Sequence, residues 1–108
     1  MSVPRINPKQ TCFLLCDVQE KLGPAVIDFS NLCLRVQRLL ALSKVAEIPL
    51  FVTEQYPDGL GPTVSDLDIR HAELVIPKTQ FSMLVPPLAE RLMKLKSPSF
   101  SVVLFGLE

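Results

Sequence analysis

The chain has 108 residues, enough for one domain whose core removes roughly 60–70% of the unfolded surface from water. Apolar residues make up 48% and charged residues 20%, which excludes a disordered tail. Eleven basic and eleven acidic residues cancel, and the rings are six Phe, one Tyr and no Trp, so neither charge nor stacking favours nucleic acid, and the charge balance gives no pull toward an anionic membrane.

Met1 to Gln10 holds Pro4, Arg5, Asn7, Pro8 and Lys9 and no apolar stretch, so no secretory leader is expected. No run approaches the length of a membrane span. Three cysteines, Cys12, Cys16 and Cys33, are an odd and small number, which points to a reducing, cytoplasmic setting without a disulfide framework. On one strand Cys12 and Cys16 would share a face about 13 Å apart, too far for one ion to bridge, so they read as buried apolar residues.

The first element is Thr11 to Cys16, a continuous apolar run that ends at Asp17 and suits a strand covered on both faces. Residues 28–47 change to helical period. Leu32, Val36, Leu39, Leu40, Ser43 and Ala46 share one face, while Arg35, Arg38 and Glu47 fall away from it. Asp28, Ser30 and Asn31 are all possible N-caps. Pro49 closes the helix and opens a second β-type run, Ile48 to Glu54. Gln55 to Pro62 is a loop by its Pro57, Gly59, Gly61 and Pro62. Residues 63–71 are polar and mixed and define no element.

Glu73 to Pro77 reads as a third strand, ending at Lys78. Pro86 and Pro87 start a helix that runs to about Lys96, with Leu88, Leu92 and Leu95 as its apolar stripe. Ser97-Pro98-Ser99 breaks it, and Phe100 to Phe105 is a fourth strand before Gly106, Leu107 and Glu108. The order β-α-β-loop-β-α-β predicts a single α/β domain over 1–108, a three-layer, Rossmann-like parallel sheet.

In open parallel sheets ligands bind beyond the carboxyl ends of the strands. Those ends carry Asp17 with Gln19, Glu54 with Gln55 and Tyr56, Lys78 with Gln80 and Phe81, and Gly106 to Glu108. Asp17 and Lys78 on neighbouring strand ends would neutralise each other at the rim of a pocket. The acid is suited to general-base work and the ammonium to holding developing negative charge. Gln19, Gln55, Tyr56 and Phe81 are placed to line a pocket with a polar floor and an aromatic wall. No Gly-rich phosphate loop follows the first strand, and Gly59-x-Gly61 alone is a weak match.

These blocks resemble the isochorismatase-like cysteine hydrolases. Phe13 to Lys21 resembles the first-strand Asp-x-Gln motif. Pro49 to Pro57 with Gly59 to Val64 is similar to the second strand and loop of the isochorismatase domain-containing subgroup. Pro77 to Met83 is similar to the segment that carries the family's Lys, and Val102 to Glu108 to the strand that leads into its nucleophile loop. The resemblance implies strand order 3-2-1-4, Asp17 as general base and Lys78 as its charge-stabilising partner in an Asp-Lys-Cys triad. It implies hydrolysis of a small amide or vinyl ether, a small-molecule substrate and self-association.

The family's nucleophilic Cys falls past Glu108, and Cys12, Cys16 and Cys33 do not match it. Cys16 is expected to point away from a pocket that Asp17 faces. The chain is therefore expected to be the N-terminal part of a longer domain, inactive alone, with an uncovered fourth strand at the sheet edge. Family members with nicotinamidase activity carry Asp-x-His after the second strand. Here Thr53-Glu54-Gln55 stands there, and the lone His71 reads as a solvated residue, so no metal or other cofactor is expected. A non-catalytic binding or scaffold protein of the same fold is the alternative.

Overall fold

The computed structural model describes residues 7–95 and 101–107. The expected helix end at Lys96, the Ser97-Pro98-Ser99 break, Phe100, Glu108 and residues 1–6 lie outside the described residues.

Four strands form one all-parallel sheet: β1 (Thr11–Cys16), β2 (Leu50–Gln55), β3 (Leu74–Lys78) and β4 (Ser101–Gly106), in the order β3-β2-β1-β4. β1 is central and every one of its residues is buried, which is why its sequence is apolar without alternation. Its side chains still divide by parity. Phe13 and Leu15 pack with Cys33, Val36 and Leu40 of helix α1 (Phe29–Val45), whereas Cys12, Leu14 and Cys16 pack with Leu88 of helix α3 (Pro86–Met93). The sheet is thus the middle of three layers, with a hydrophobic cluster on each side. A one-turn helix, α2 (Pro57–Leu60), sits within the loop expected after β2.

Asp28 is the N-cap of α1, in left-handed conformation, and Asn31 Nδ2 donates to its carboxylate at 2.8 Å. The buried face of α1 consists of Cys33, Val36, Leu40 and Ser43, with Leu32, Leu39 and Ala46 partly covered. Residues 63–71 contain no regular element, yet Val64 and Leu67 are buried in the α1-side cluster. The polar neighbours of these two residues hide them from a periodicity test.

β4 is an edge strand. Its Val103 and Phe105 lean on the α1-side core, with the Phe105 ring edge-on to Phe13 at 5.5 Å. Val102 and Leu104 point the other way and are 46% and 64% exposed. At the strand end Leu107 N–H donates to the Cys16 carbonyl at 2.8 Å, and a Cβ on Gly106 would lie 2.6 Å from that same oxygen. With φ at 111°, position 106 therefore needs glycine on both counts.

Candidate active site

The carboxyl ends of β1, β2 and β3 converge on one buried polar cluster. β1 ends at Cys16, and Asp17 then adopts φ 53°, turning the chain out of the strand. Asp is one of the few residues that tolerates this left-handed geometry. Its backbone N–H donates to the Thr53 carbonyl of β2 at 3.1 Å. Its carboxylate accepts from Thr53 Oγ1 at 2.8 Å on one oxygen and from Lys78 Nζ at 2.9 Å on the other. Both side chains of the ion pair are almost wholly removed from water, Lys78 at 1% and Asp17 at 6% exposure.

Lys78 ends β3 and makes three more contacts, to Gln55 Oε1 at 2.7 Å and to the carbonyls of Gln80 and Phe81 at 3.1 Å each. An ammonium has three protons, so four acceptors saturate it and one bond is shared. A buried pair is tolerated only when its remaining donors and acceptors are met in this way.

Gln19 is also fully buried, but it serves the frame. Its Nε2 donates to the carbonyls of Gln55 and Gly61, both at 2.8 Å, and its Oε1 accepts from Gln55 N–H at 2.6 Å. Both amide protons are thus spent on backbone carbonyls, and the side chain, expected to line a pocket, is placed within the frame. Gln55 is shared between the two systems: it accepts from Lys78 and donates to the Thr79 carbonyl at 3.2 Å. Glu54 accepts from both N–H and Oγ1 of Thr63, which anchors the loop after α2.

Two larger cavities flank the cluster. One, about 600 Å³, is apolar and lies between α3 and β4, with Cys16, Phe81, Met83, Leu104 and Gly106 in its walls. The other, about 640 Å³, has Tyr56, Asp58, Lys78 and Gln80 in its walls. The two candidate aromatic residues therefore belong to different cavities. Both rings are open, Tyr56 at 56% and Phe81 at 77% exposure. Asp17 and Gln19 line neither cavity.

Alternation predicts that Cys16 points away from a pocket that Asp17 faces; instead Asp17 lines neither larger cavity, and Cys16, on the α3-side face of β1 with Cys12 and Leu14, reaches the apolar one. Burial, and after it the neighbouring Asp17 charge, push its thiol up to about 11. Burial also raises the thiols of Cys12 and Cys33. The expected consequence is that iodoacetamide labels Cys16 of the folded chain negligibly at neutral pH and increasingly as pH nears 11, while denatured chain reacts normally; peptide mass mapping reads both. The unfolded thiol, near 9.0, loses its proton first, so this group's contribution to stability is complete below that pH and is lost as pH rises to about 11.

His71 is not a solvated residue. It is half-buried, and its Nε2 lies 2.8 Å from Ser43 Oγ on α1. The Ser43 hydroxyl also lies 2.8 Å from the Leu40 carbonyl. Among the described residues no group of three or more His, Cys, Asp or Glu side chains is placed to hold a metal ion. No helix among them is long and apolar enough to cross a membrane.

A parallel α/β sheet wound in the order 3-2-1-4, carrying a buried acid–ammonium pair across the ends of its strands, defines a Rossmann-like domain with its polar site at the carboxyl edge. Comparison with known proteins narrows this. The chain is 44% identical over 103 residues to isochorismatase domain-containing protein 1 of Danio rerio, covering 95% of this chain and 36% of that protein. It is 42% identical over 107 residues to isochorismatase domain-containing protein 2B of Mus musculus, covering 99% and 50%. Among solved structures, MAR1 ribonuclease of Caenorhabditis elegans superposes with a TM-score of 0.85 at 38% identity, covering 97% of this chain and 54% of that one. An isochorismatase from Pseudomonas putida superposes with a TM-score of 0.77 over 98% of this chain and 60% of its own; at 18% identity it shows the fold alone. No protein-family model matches. Over nearly its whole length the chain is similar to isochorismatase domain-containing proteins. It spans about half, or less, of the length of the curated relatives it matches.

Proposed function

We propose that the protein is an isochorismatase-like hydrolase of a small molecule, cleaving a C–N or C–O bond of amide or vinyl-ether type. Asp17 is the general base, Lys78 holds negative charge that develops on the substrate, and the nucleophile is a cysteine thiol from beyond these residues. For an amide, Asp17 takes the thiol proton as sulfur attacks the carbonyl carbon. The proton then passes to the departing amine, and water releases the acid and restores the thiol.

One observation carries this reading: a carboxylate and an ammonium 2.9 Å apart, both removed from water, at the ends of a parallel sheet where ligands of such folds bind. The balanced charge of the chain favours a small substrate over a polyanion, although one structural relative is named a ribonuclease. Self-association and a cytoplasmic setting are part of the proposal.

A non-catalytic binding or scaffold protein is the second reading. It is favoured by the state of the thiols: Cys12, Cys16 and Cys33 are all buried and all pushed away from the thiolate form. None of these three cysteines is thus an activated nucleophile, and the 108 residues alone are expected to be inactive.

Full-length protein separates the two. Mixed with p-nitrophenyl acetate, it is expected to form an acyl-thioester on a cysteine outside these residues, seen by mass spectrometry. Asp17→Asn, which leaves the Lys78 charge without its partner and so is assayed only on protein shown to be folded by circular dichroism, is expected to lower turnover by roughly 10²- to 10⁴-fold. Full activity in Asp17→Asn removes the acid from the mechanism.

A further inference from the structure

Thr53 meets Asp17 twice. The residue is wholly buried in β2, at the position paired with Cys16 of β1 and Ile76 of β3, so the sheet fixes its backbone from both sides. Its carbonyl accepts the Asp17 N–H at 3.1 Å, and its hydroxyl donates to Asp17 Oδ1 at 2.8 Å. Lys78 holds only the other oxygen, at 2.9 Å. A carboxylate held at one oxygen can still rock about that contact; held at both, it is fixed in plane and direction. Lys78 itself ends a four-bond side chain, whereas the β-branched Thr53 has few rotamers and a short reach.

We infer that Thr53 is a positioning residue for the Asp17 base: its hydroxyl fixes the plane of the carboxylate and hence the direction of the lone pairs that receive a proton. The inference rests on the hydrolase reading above. Thr53 is 0% exposed and its hydroxyl proton is committed to Asp17 Oδ1, so it acts through Asp17 and not on the substrate. The left-handed turn at residue 17 makes such a brace necessary, because Asp17 has left β1 and no longer shares the rigidity of the strand. Val is close to Thr in shape, so Thr53→Val removes the hydroxyl with little change in volume.

The test uses the full-length protein and p-nitrophenyl acetate as probe, with Asp17→Asn, Thr53→Val and Thr53→Ser measured side by side. Thr53→Val is expected to lower kcat about 10- to 100-fold, the cost of a misplaced reacting group, with KM within about threefold of wild type. Thr53→Ser keeps the hydroxyl and is expected to retain at least about a third of kcat, on the same argument. Wild-type kcat in Thr53→Val, or a change in KM in place of kcat, overturns the positioning role while an inactive Asp17→Asn leaves the hydrolase reading standing. If Thr53→Val does not fold, Thr53→Ser decides: retained kcat supports the hydroxyl, and about a tenfold loss in folded Thr53→Ser overturns it. Wild-type activity in Asp17→Asn, or no turnover and no acyl-thioester in the wild type, sinks the hydrolase reading and this inference together.

Discussion

Replacing Lys78 with Ala is expected to destabilise the domain by about 3–5 kcal/mol, because it leaves the Asp17 charge buried without its partner. For a domain of this size that lowers Tm by about 12 °C or more, a large fraction of the 5–15 kcal/mol that typical domains have. The loss comes less from the attraction itself than from the orphaned carboxylate and from three further acceptors, Gln55 Oε1 and the Gln80 and Phe81 carbonyls, that Lys78 satisfies. The double variant Asp17→Asn with Lys78→Met removes both charges and is expected to recover about half of the loss or more, since neutral replacements of a buried pair are often tolerated. Thermal melts followed by circular dichroism on wild type, Lys78→Ala, Lys78→Met, Asp17→Asn and the double variant measure this. A Lys78→Ala melt within a degree or two of wild type would show that the pair is not dehydrated as described.

Gln19→Ala is expected to be nearly as costly without touching a charge. Three backbone groups lose their partner: the N–H and carbonyl of Gln55 and the carbonyl of Gly61. At about 1–3 kcal/mol for each buried polar group left unmade, the sum is roughly 3 kcal/mol or more. The effect should spread to the ion pair, because Gln55 is the residue that links the Gln19 clamp to Lys78. Urea denaturation reads the stability, and hydrogen exchange at the Gln55 amide reads the local opening. Unchanged exchange at that amide would assign the clamp to some other group.

These two side chains show how differently the same strand-end rule is used. Sequence position alone marks Gln19 and Lys78 as polar residues just after, or at the end of, an apolar run. Lys78 is brought to Asp17 across 61 residues of chain, and Gln19 to Gln55 across 36, and only the register of the sheet decides which polar group meets which. Gln19, expected to face a ligand, instead ties the loop at Gly61 to the end of β2. Thr53 was passed over because, inside an apolar strand, Thr reads as one more β-branched residue. Its hydroxyl gains meaning only from the carboxylate that the adjacent strand places 2.8 Å away.

Local patterning is enough to specify the elements and their class. The apolar run Thr11–Cys16 specifies a strand covered on both faces, residues 48–54 a second β-type run, the period of residues 28–47 a one-sided helix, and Pro and Gly mark the joins. These are local facts, written in the spacing of neighbours along the chain. Where the polar groups point follows from the fold. The positive φ at Asp17 turns its carboxylate toward Thr53 and Lys78, His71 finds Ser43 on a helix 28 residues away, and Val64 and Leu67 enter the core from a stretch with no period. Each of these depends on a partner distant in sequence, and burial makes the choice of partner strict, because a polar group taken out of water must find one there or the fold does not form.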